Sequence, residues 1–154
     1  MRILEFLPYE AIIASLRAST KTEVLDELVG PIAEANPNLD KEALVQSLIE
    51  RESLGSTGIG GGVAIPHGKF EGLETLTASF GRSAAGIDFH SMDQKPAHLF
   101  FLLVAPKNSA ADHLKALARI SRLVKDPLLK NGLQHADSRE EIFRLLEEYD
   151  LRLP

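Results

Sequence analysis

The chain has 154 residues, 44% of them hydrophobic and 25% charged, with a formal net charge of -5 and no cysteine. That length suits one domain with its own core, and the acidic balance excludes a general nucleic-acid binder, which needs a basic surface. The lack of cysteine rules out a disulfide framework and a thiolate zinc site, and it fits a cytoplasmic location.

The first residues, MRILEFLPYEA, carry an acidic residue inside a short apolar run, which is not the pattern of a secretory signal. No apolar run approaches the roughly 20 residues needed to cross a bilayer, so no direct membrane insertion is expected. The segment EAIIASLRA reads equally as a short strand or a helical turn. A clear helix follows. Thr20 and Glu23 form a T-x-x-E capping box, and Val24, Leu25, Leu28, Val29 and Ile32 recur at helical spacing. Pro31 falls inside that pattern, so a kink or break is expected there. After the turn signal NPN, Asp40 caps a second helix, KEALVQSLIERE, with Leu44, Val45, Leu48 and Ile49 on its buried face.

Beyond the second helix the pattern changes to strands. Val63–Ile65 is a short strand, LTASFGRS alternates as another, and HLFFLLVAP is a continuous apolar run that suits a central strand covered on both faces. Then SAADHLKALARISRLVKD is amphipathic, with Leu114, Leu117, Ile120, Ser121 and Val124 along one side. Pro127 sits at a favourable first-turn position of the next helix. Ser138 and Glu141 repeat the capping box before the last helix, REEIFRLLEEYD. Helices thus precede and follow the strands. The expected fold is α/β: a single three-layer α/β/α domain spanning residues 1–154. The strands between residues 63 and 83 lie too close in sequence for a helical crossover, so at least one pair is antiparallel and the central sheet is mixed.

The stretch GSTGIGGGVAIPHGK, residues 55–69, resists assignment to either nucleotide motif. Gly55 and Gly60 have P-loop spacing, but Gly61 stands where the lysine belongs. The G-x-G-x-x-G fingerprint fails at Val63, and neither motif would open a helix. ATP and dinucleotide binding are therefore not expected, nor is any other cofactor. Taken alone, the glycines mark a turned connection. They run, however, into AIPHG, where Pro66 stiffens the backbone and His67 follows it. An imidazole held this way can act as a nucleophile, although a lone histidine is more often a surface or satisfied core residue. His90, His98 and His135 have no metal-ligand spacing, and no metal is expected.

The segment RESLGSTGIGGGVAIPHGK, Arg51 to Lys69, resembles the active-site signature of the enzyme IIA components of the bacterial phosphoenolpyruvate-dependent phosphotransferase system. The likeness is to the mannitol/fructose class, which includes the nitrogen-regulatory enzyme IIA. It rests on G-x-A-I-P-H-G at Gly62–Gly68 and extends through DHLKALARISRLVKD and SREEIFRLLEEY. The resemblance implies that His67 accepts a phosphoryl group from HPr or a nitrogen-branch HPr-like donor. It implies that His113, which shares a helical stripe with Leu117, Ile120 and Val124, lies beside the acceptor and hydrogen-bonds the phosphoryl oxygens. It implies that Arg51 presents a guanidinium to the phosphate, where the bland alternative is an arginine offsetting a helix C-terminus. Ser56 and Thr57 are further candidate donors from the loop. Onward partners are an enzyme IIB or regulatory target proteins. GSTGIG, together with the compact chain and no fused transporter domain, favours a stand-alone nitrogen-type regulator. A sugar-specific enzyme IIA of a fructose or mannitol permease stays open. A binding module that keeps the fold without phosphorylation is disfavoured by His67, His113 and Arg51 occurring together.

Overall fold

The structure is a computed structural model describing all 154 residues. The N-terminal segment takes both expected forms in succession: 3-10 turns at Ile3–Glu5 and Tyr9–Ala11, then strand β1, Ile12–Ile13. Helix α1 spans Lys21–Ala35 and α2 spans Lys41–Ser53. Thr20 caps α1 in a full capping box with Glu23, and Asp40 caps α2 by accepting from Ala43 N. Four strands follow before the central one: β2 Gly58–Gly60, β3 Val63–Ala64, β4 His67–Lys69 and β5 Thr77–Ile87. The central strand β6 is Ala97–Ala105, and α3 Ala110–Leu123, α4 Pro127–His135 and α5 Arg139–Leu151 complete the chain. No helix is long and apolar enough to cross a membrane.

The strands form one six-stranded mixed sheet in the order β1-β5-β6-β3-β2, with β4 also on β6. β1 runs parallel to β5, β3 and β4 run parallel to β6, and β5–β6 and β2–β3 are antiparallel. The expected mixed sheet is therefore present, but β3 and β5 do not pair with each other. They flank β6 on opposite sides and in opposite directions.

Alternation along β6 explains its unbroken apolar run. Leu99, Phe101 and Leu103 pack into one core with Ala116, Ile120, Leu133, Ile142 and Leu146 from α3, α4 and α5. Phe100, Leu102 and Val104 pack into a second core with Val24, Leu28, Leu44 and Leu48 from α1 and α2. Each core holds one aromatic pair, Phe80–Phe101 at 4.9 Å and Phe89–Phe100 at 5.5 Å between ring centroids. A tilted pair of this kind adds about 1 kcal/mol beyond its buried area. The result is the three-layer α/β/α domain that the sequence leads one to expect.

Three local expectations need correction. Pro31 does not break α1, which continues to Ala35. The helix is held by its buried stripe of Val24, Leu25, Leu28, Val29 and Ile32, which outweighs one missing N–H donor. Leu114 is 68% exposed, so it does not belong to the apolar side of α3. His113, Ala116, Ile120 and Leu123 occupy that side, one position round the helix. The strand expected at Val63–Ile65 ends at Ala64; Ile65 N still extends the β2–β3 pairing by donating to Thr57 O at 3.0 Å, and Pro66, which has no N–H, follows.

Tight packing between two loops gives a stability prediction. A Cβ on Gly58 would lie 2.3 Å from Ser91 Oγ and 2.9 Å from Ser91 Cα, and Gly58 O accepts from Met92 N at 3.0 Å. Gly58→Ala must push the 88–92 segment away and is expected to cost about 1–3 kcal/mol. That is a fall of roughly 3–10 °C in thermal midpoint for a domain of this size. A parent-like midpoint in a calorimetric scan would show that the loops part freely.

Candidate active site

The glycine run is a hairpin turn. Gly60, Gly61 and Gly62 have φ of 90°, 65° and 82°, a region that only glycine enters readily, and they reverse the chain between β2 and β3. Gly61 N donates to Asp93 Oδ2 at 3.0 Å and so is already engaged. A strand rises about 3.3 Å per residue, which puts His67 about 13 Å along from Val63 at the turn. The glycines shape the hairpin and do not surround the histidine.

The stiff segment does position His67. β3 and β4 lie along β6 in unbroken register, with Val63 opposite Leu99 and His67 opposite Leu103. Pro66, which has no N–H to give, stands between the two. The Pro66 carbonyl stays in the ladder by accepting from Leu103 N at 3.0 Å. His67 therefore opens a strand instead of ending one. Because it sits opposite Leu103, a residue of the α3-side core, its side chain faces α3. Gly68 turns to α2, where a Cβ would meet Leu48 at 3.6 Å.

The tautomer of His67 follows from its one side-chain bond. Nδ1 lies 2.7 Å from Ile65 O. A carbonyl can only accept, so Nδ1 carries the proton and Nε2 keeps its lone pair. The ring is half-buried and leaves that lone pair as the reactive atom.

His113 meets this imidazole from the first turn of α3. The ring centroids are 5.6 Å apart in an edge-on arrangement. His113 is only 8% exposed, and its Nε2 is a buried nitrogen with no hydrogen-bond partner. Burial holds its pKa below the ordinary histidine value, and Lys69, together with His67 whenever that ring is protonated, pushes it in the same direction. Ser109 stands at the N-cap of α3, but its side chain accepts no bond from the first turn. The first turn of α3, which carries His113, thus lacks a side-chain cap, and Asp112 puts a carboxylate in the same turn.

Arg51 takes a different position in the loop. Its Nη1 donates to Gly55 O at 2.9 Å and to neither imidazole. Ser56 and Thr57 are likewise used inside the scaffold. Ser56 Oγ donates to Phe89 O at 2.7 Å and accepts from Gly58 N, and Thr57 Oγ1 donates to Glu52. His90, His98 and His135 lie elsewhere, and no three His, Cys, Asp or Glu side chains gather as a metal site.

Residues that sequence reasoning missed hold this loop in place. Buried Glu52 accepts from Thr57 N at 3.1 Å and pairs with Lys21 Nζ at 2.8 Å. Lys21 Nζ also donates to Phe89 O and lies 4.5 Å over the Phe89 ring. Glu52 had a faint signal as an acid beside Arg51, but nothing local ties it to Lys21 or Phe89. Lys69 was missed too, although strand alternation from His67 puts it on the same face. With both imidazoles, one exposed lone pair and Lys69, the site can take up a dianionic group on Nε2 of His67 and offset its charge.

Comparison with known proteins follows the same outline. Residues 5–149 match the family model described as "Phosphoenolpyruvate-dependent sugar phosphotransferase system, EIIA 2". A nitrogen regulatory protein of Bradyrhizobium diazoefficiens is 42% identical over 146 residues, covering 95% of each chain. The fructose-specific EIIABC component of Bacillus subtilis is 35% identical over 97% of this chain, which spans about a quarter, 24%, of that protein. A crystal structure of the nitrogen regulatory protein IIA-Ntr from Neisseria meningitidis matches with a TM-score of 0.86 at 31% identity. The match covers 94% of this chain and 98% of that one.

Proposed function

The chain belongs to the EIIA 2 family of the phosphoenolpyruvate-dependent sugar phosphotransferase system, and on that premise we propose that it is a cytoplasmic phosphohistidine carrier that accepts a phosphoryl group on His67. The observation that carries this reading is the 2.7 Å contact between His67 Nδ1 and Ile65 O, which leaves Nε2 nucleophilic. The donor is HPr or its nitrogen-branch relative, phosphorylated on a histidine. The Nε2–P bond forms as the donor's N–P bond breaks, and that bond's electron pair returns to the donor imidazole. As Nε2 bonds, positive charge grows on the His67 ring, and the Ile65 carbonyl favours it through Nδ1–H. His113 lies where it can donate a hydrogen bond to the phosphoryl oxygens. No metal or nucleotide takes part, so positioning and charge account for the catalysis.

Arg51 completes the set through its guanidinium. One nitrogen fixes Gly55, and the others remain to meet a phosphate presented by the partner. Arg51→Lys keeps the charge and loses the fork. Slower transfer is expected, with a change in stability of no more than about 0.5 kcal/mol. Stopped transfer assays beside a thermal scan check this, and unchanged kinetics would remove Arg51 from the mechanism.

The regulatory, nitrogen-type role is the reading supported by 42% identity to a nitrogen regulatory protein over nearly the full length of both chains. Its onward partners are regulatory target proteins. The second reading, a sugar-specific enzyme IIA that passes phosphate to an enzyme IIB, draws on 35% identity to a fructose-specific component. Phosphoryl transfer measured from two donors and to two acceptors separates them. The nitrogen-type reading expects the nitrogen-branch donor to outpace HPr at least tenfold, with no onward transfer to a fructose or mannitol enzyme IIB. Rapid transfer to enzyme IIB supports the second reading. Failure of both donors rejects the carrier function.

A further inference from the structure

The turn between α2 and β2 is held from inside by one carboxylate. The Glu52 side chain is only 4% exposed. Its Oε1 accepts from Thr57 N at 3.1 Å and lies 2.8 Å from Lys21 Nζ, and its Oε2 accepts from Thr57 Oγ1. A carboxylate in the last turn of a helix meets the negative end of the dipole, and burial adds a desolvation cost. All three of its side-chain contacts leave α2, so what Glu52 serves lies in the segments it joins. Lys21 secures it from behind. Lys21 Nζ donates to Phe89 O at 3.2 Å, and the same carbonyl accepts from Ser56 Oγ at 2.7 Å.

Both His67 and Arg51 are tied to this turn. Thr57 O accepts from Ile65 N at 3.0 Å, and Ile65 O accepts from Nδ1–H of His67 at 2.7 Å. Independently of the turn, the ladder between β4 and β6 fixes His67 opposite Leu103. Arg51 has no second hold of that kind. Its guanidinium makes one hydrogen bond, from Nη1 to Gly55 O at 2.9 Å, and no ion pair.

We propose that Glu52 is a positioning residue for phosphoryl transfer: through Thr57 it fixes the turn that carries the one anchor of Arg51, and so sets the guanidinium relative to the His67 imidazole. The inference rests on the carrier reading and on Arg51 meeting the phosphate. Arginine is long and free to rotate, so the place of its fork follows the place of the carbonyl that holds it. Thr57 uses both of its donors on the two oxygens of Glu52, and its own carbonyl is committed to Ile65. Gly55 O therefore cannot shift along the chain without breaking a bond to the carboxylate. Such precision matters for group transfer, where a misplacement of about 1 Å costs on the order of a hundredfold in rate. Glu52 itself touches neither the phosphoryl group nor an imidazole. It acts only through Arg51, and that dependence is what separates positioning from a contribution to the fold.

The test is a double-mutant cycle on single-turnover transfer to His67, from phosphorylated HPr or its nitrogen-branch relative, whichever labels the parent. Glu52→Gln and Thr57→Val are each made with Arg51 present and with Arg51→Ala. Thr57→Val keeps the backbone bond to Glu52 and the side-chain volume and loses only the hydroxyl, so it decides the matter if Glu52→Gln does not fold. Each is expected to slow transfer at least fivefold with Arg51 present and less than twofold beside Arg51→Ala. Thr57→Ser keeps the hydroxyl and is expected to stay within twofold of the parent. A purely structural role lowers the thermal midpoint but changes the rate of the folded protein equally in both backgrounds, or not at all, and that result overturns the proposal. Slow transfer in Arg51→Ala beside parent-like Thr57→Val overturns it alone and leaves the role of Arg51 intact. Parent-like transfer in Arg51→Ala rejects that role and the proposal together, and a parent that takes no phosphate rejects both along with the carrier reading.

Discussion

His67→Ala is expected to take up no phosphate when incubated with phosphoenolpyruvate, enzyme I and HPr, while the parent becomes labelled. The loss is expected to be total because the other imidazole of the site, that of His113, is buried. The hydroxyls of the glycine loop, Ser56 Oγ and Thr57 Oγ1, are spent on Phe89 O and Glu52. His113 is buried, with its pKa lowered by burial first and by neighbouring charge second. The bond expected in the parent is N–P, so the label should leave in mild acid and survive base. A hydroxyl ester behaves in the opposite way towards acid. Label that persists in His67→Ala, or that withstands mild acid in the parent, would reject His67 as the acceptor. The variant should remain folded, since the half-buried ring makes one internal hydrogen bond.

His113→Ala carries the second largest effect. Loss of one hydrogen bond to the transferring group is expected to raise the barrier by about 2 kcal/mol, or roughly 30-fold in rate, while His67 remains modifiable. His113→Gln should recover part of the loss, because an amide donates from a similar position. Transfer at the parent rate in both directions, measured in single turnovers, would exclude the role. The same residue predicts how stability depends on pH. Its folded-state pKa is lowered, so between that value and the ordinary value near 6.5 the unfolded chain binds more protons than the folded one. This contribution to stability is present above pH ~6.5 and is lost as the pH falls through the lowered folded value. Denaturant titrations at pH 7.5 and 5.5 should show a smaller acid-induced loss in His113→Gln than in the parent. A dianionic phosphoryl group on His67 opposes the neighbouring positive charges, so phosphorylation should reduce this acid sensitivity. An equal acid loss in parent and variant would place the titrating group elsewhere.

Much of the fold was legible because it is written in local patterns. The capping boxes at Thr20 and Ser138, the cap at Asp40 and Pro127 at the start of α4 all act within three or four residues, and all stand where the sequence puts them, apart from Ser138, which caps α5 without the reciprocal Glu141 bond. The unbroken apolar run of β6 suits a strand buried on both faces, and with helices before and after the strands it points to a three-layer domain. The facing of Leu114 and the alternative of a break at Pro31 are overturned for two separate reasons. The periodicity of one helix leaves its facing angle uncertain by one position, and a proline's local cost says nothing of the tertiary burial that offsets it.

The sequence by itself determined which atoms are chemically special: an imidazole after a proline, a second imidazole at the start of an amphipathic helix, and glycines that must turn. Only the tertiary structure decided what those atoms face. The unchanged register of β3 and β4 on β6 turns His67 to α3, and this brings it within 5.6 Å of His113, 46 residues later in the chain. The Lys21–Glu52–Thr57 network and the buried Arg119–Asp150 pair, 2.6 Å apart and tied to Ile3 N, likewise join distant segments. Such contacts leave no periodicity for a sequence to display. A buried charge is tolerated only where a partner meets it in space, and that meeting is fixed by the packing of whole elements and not by spacing along the chain.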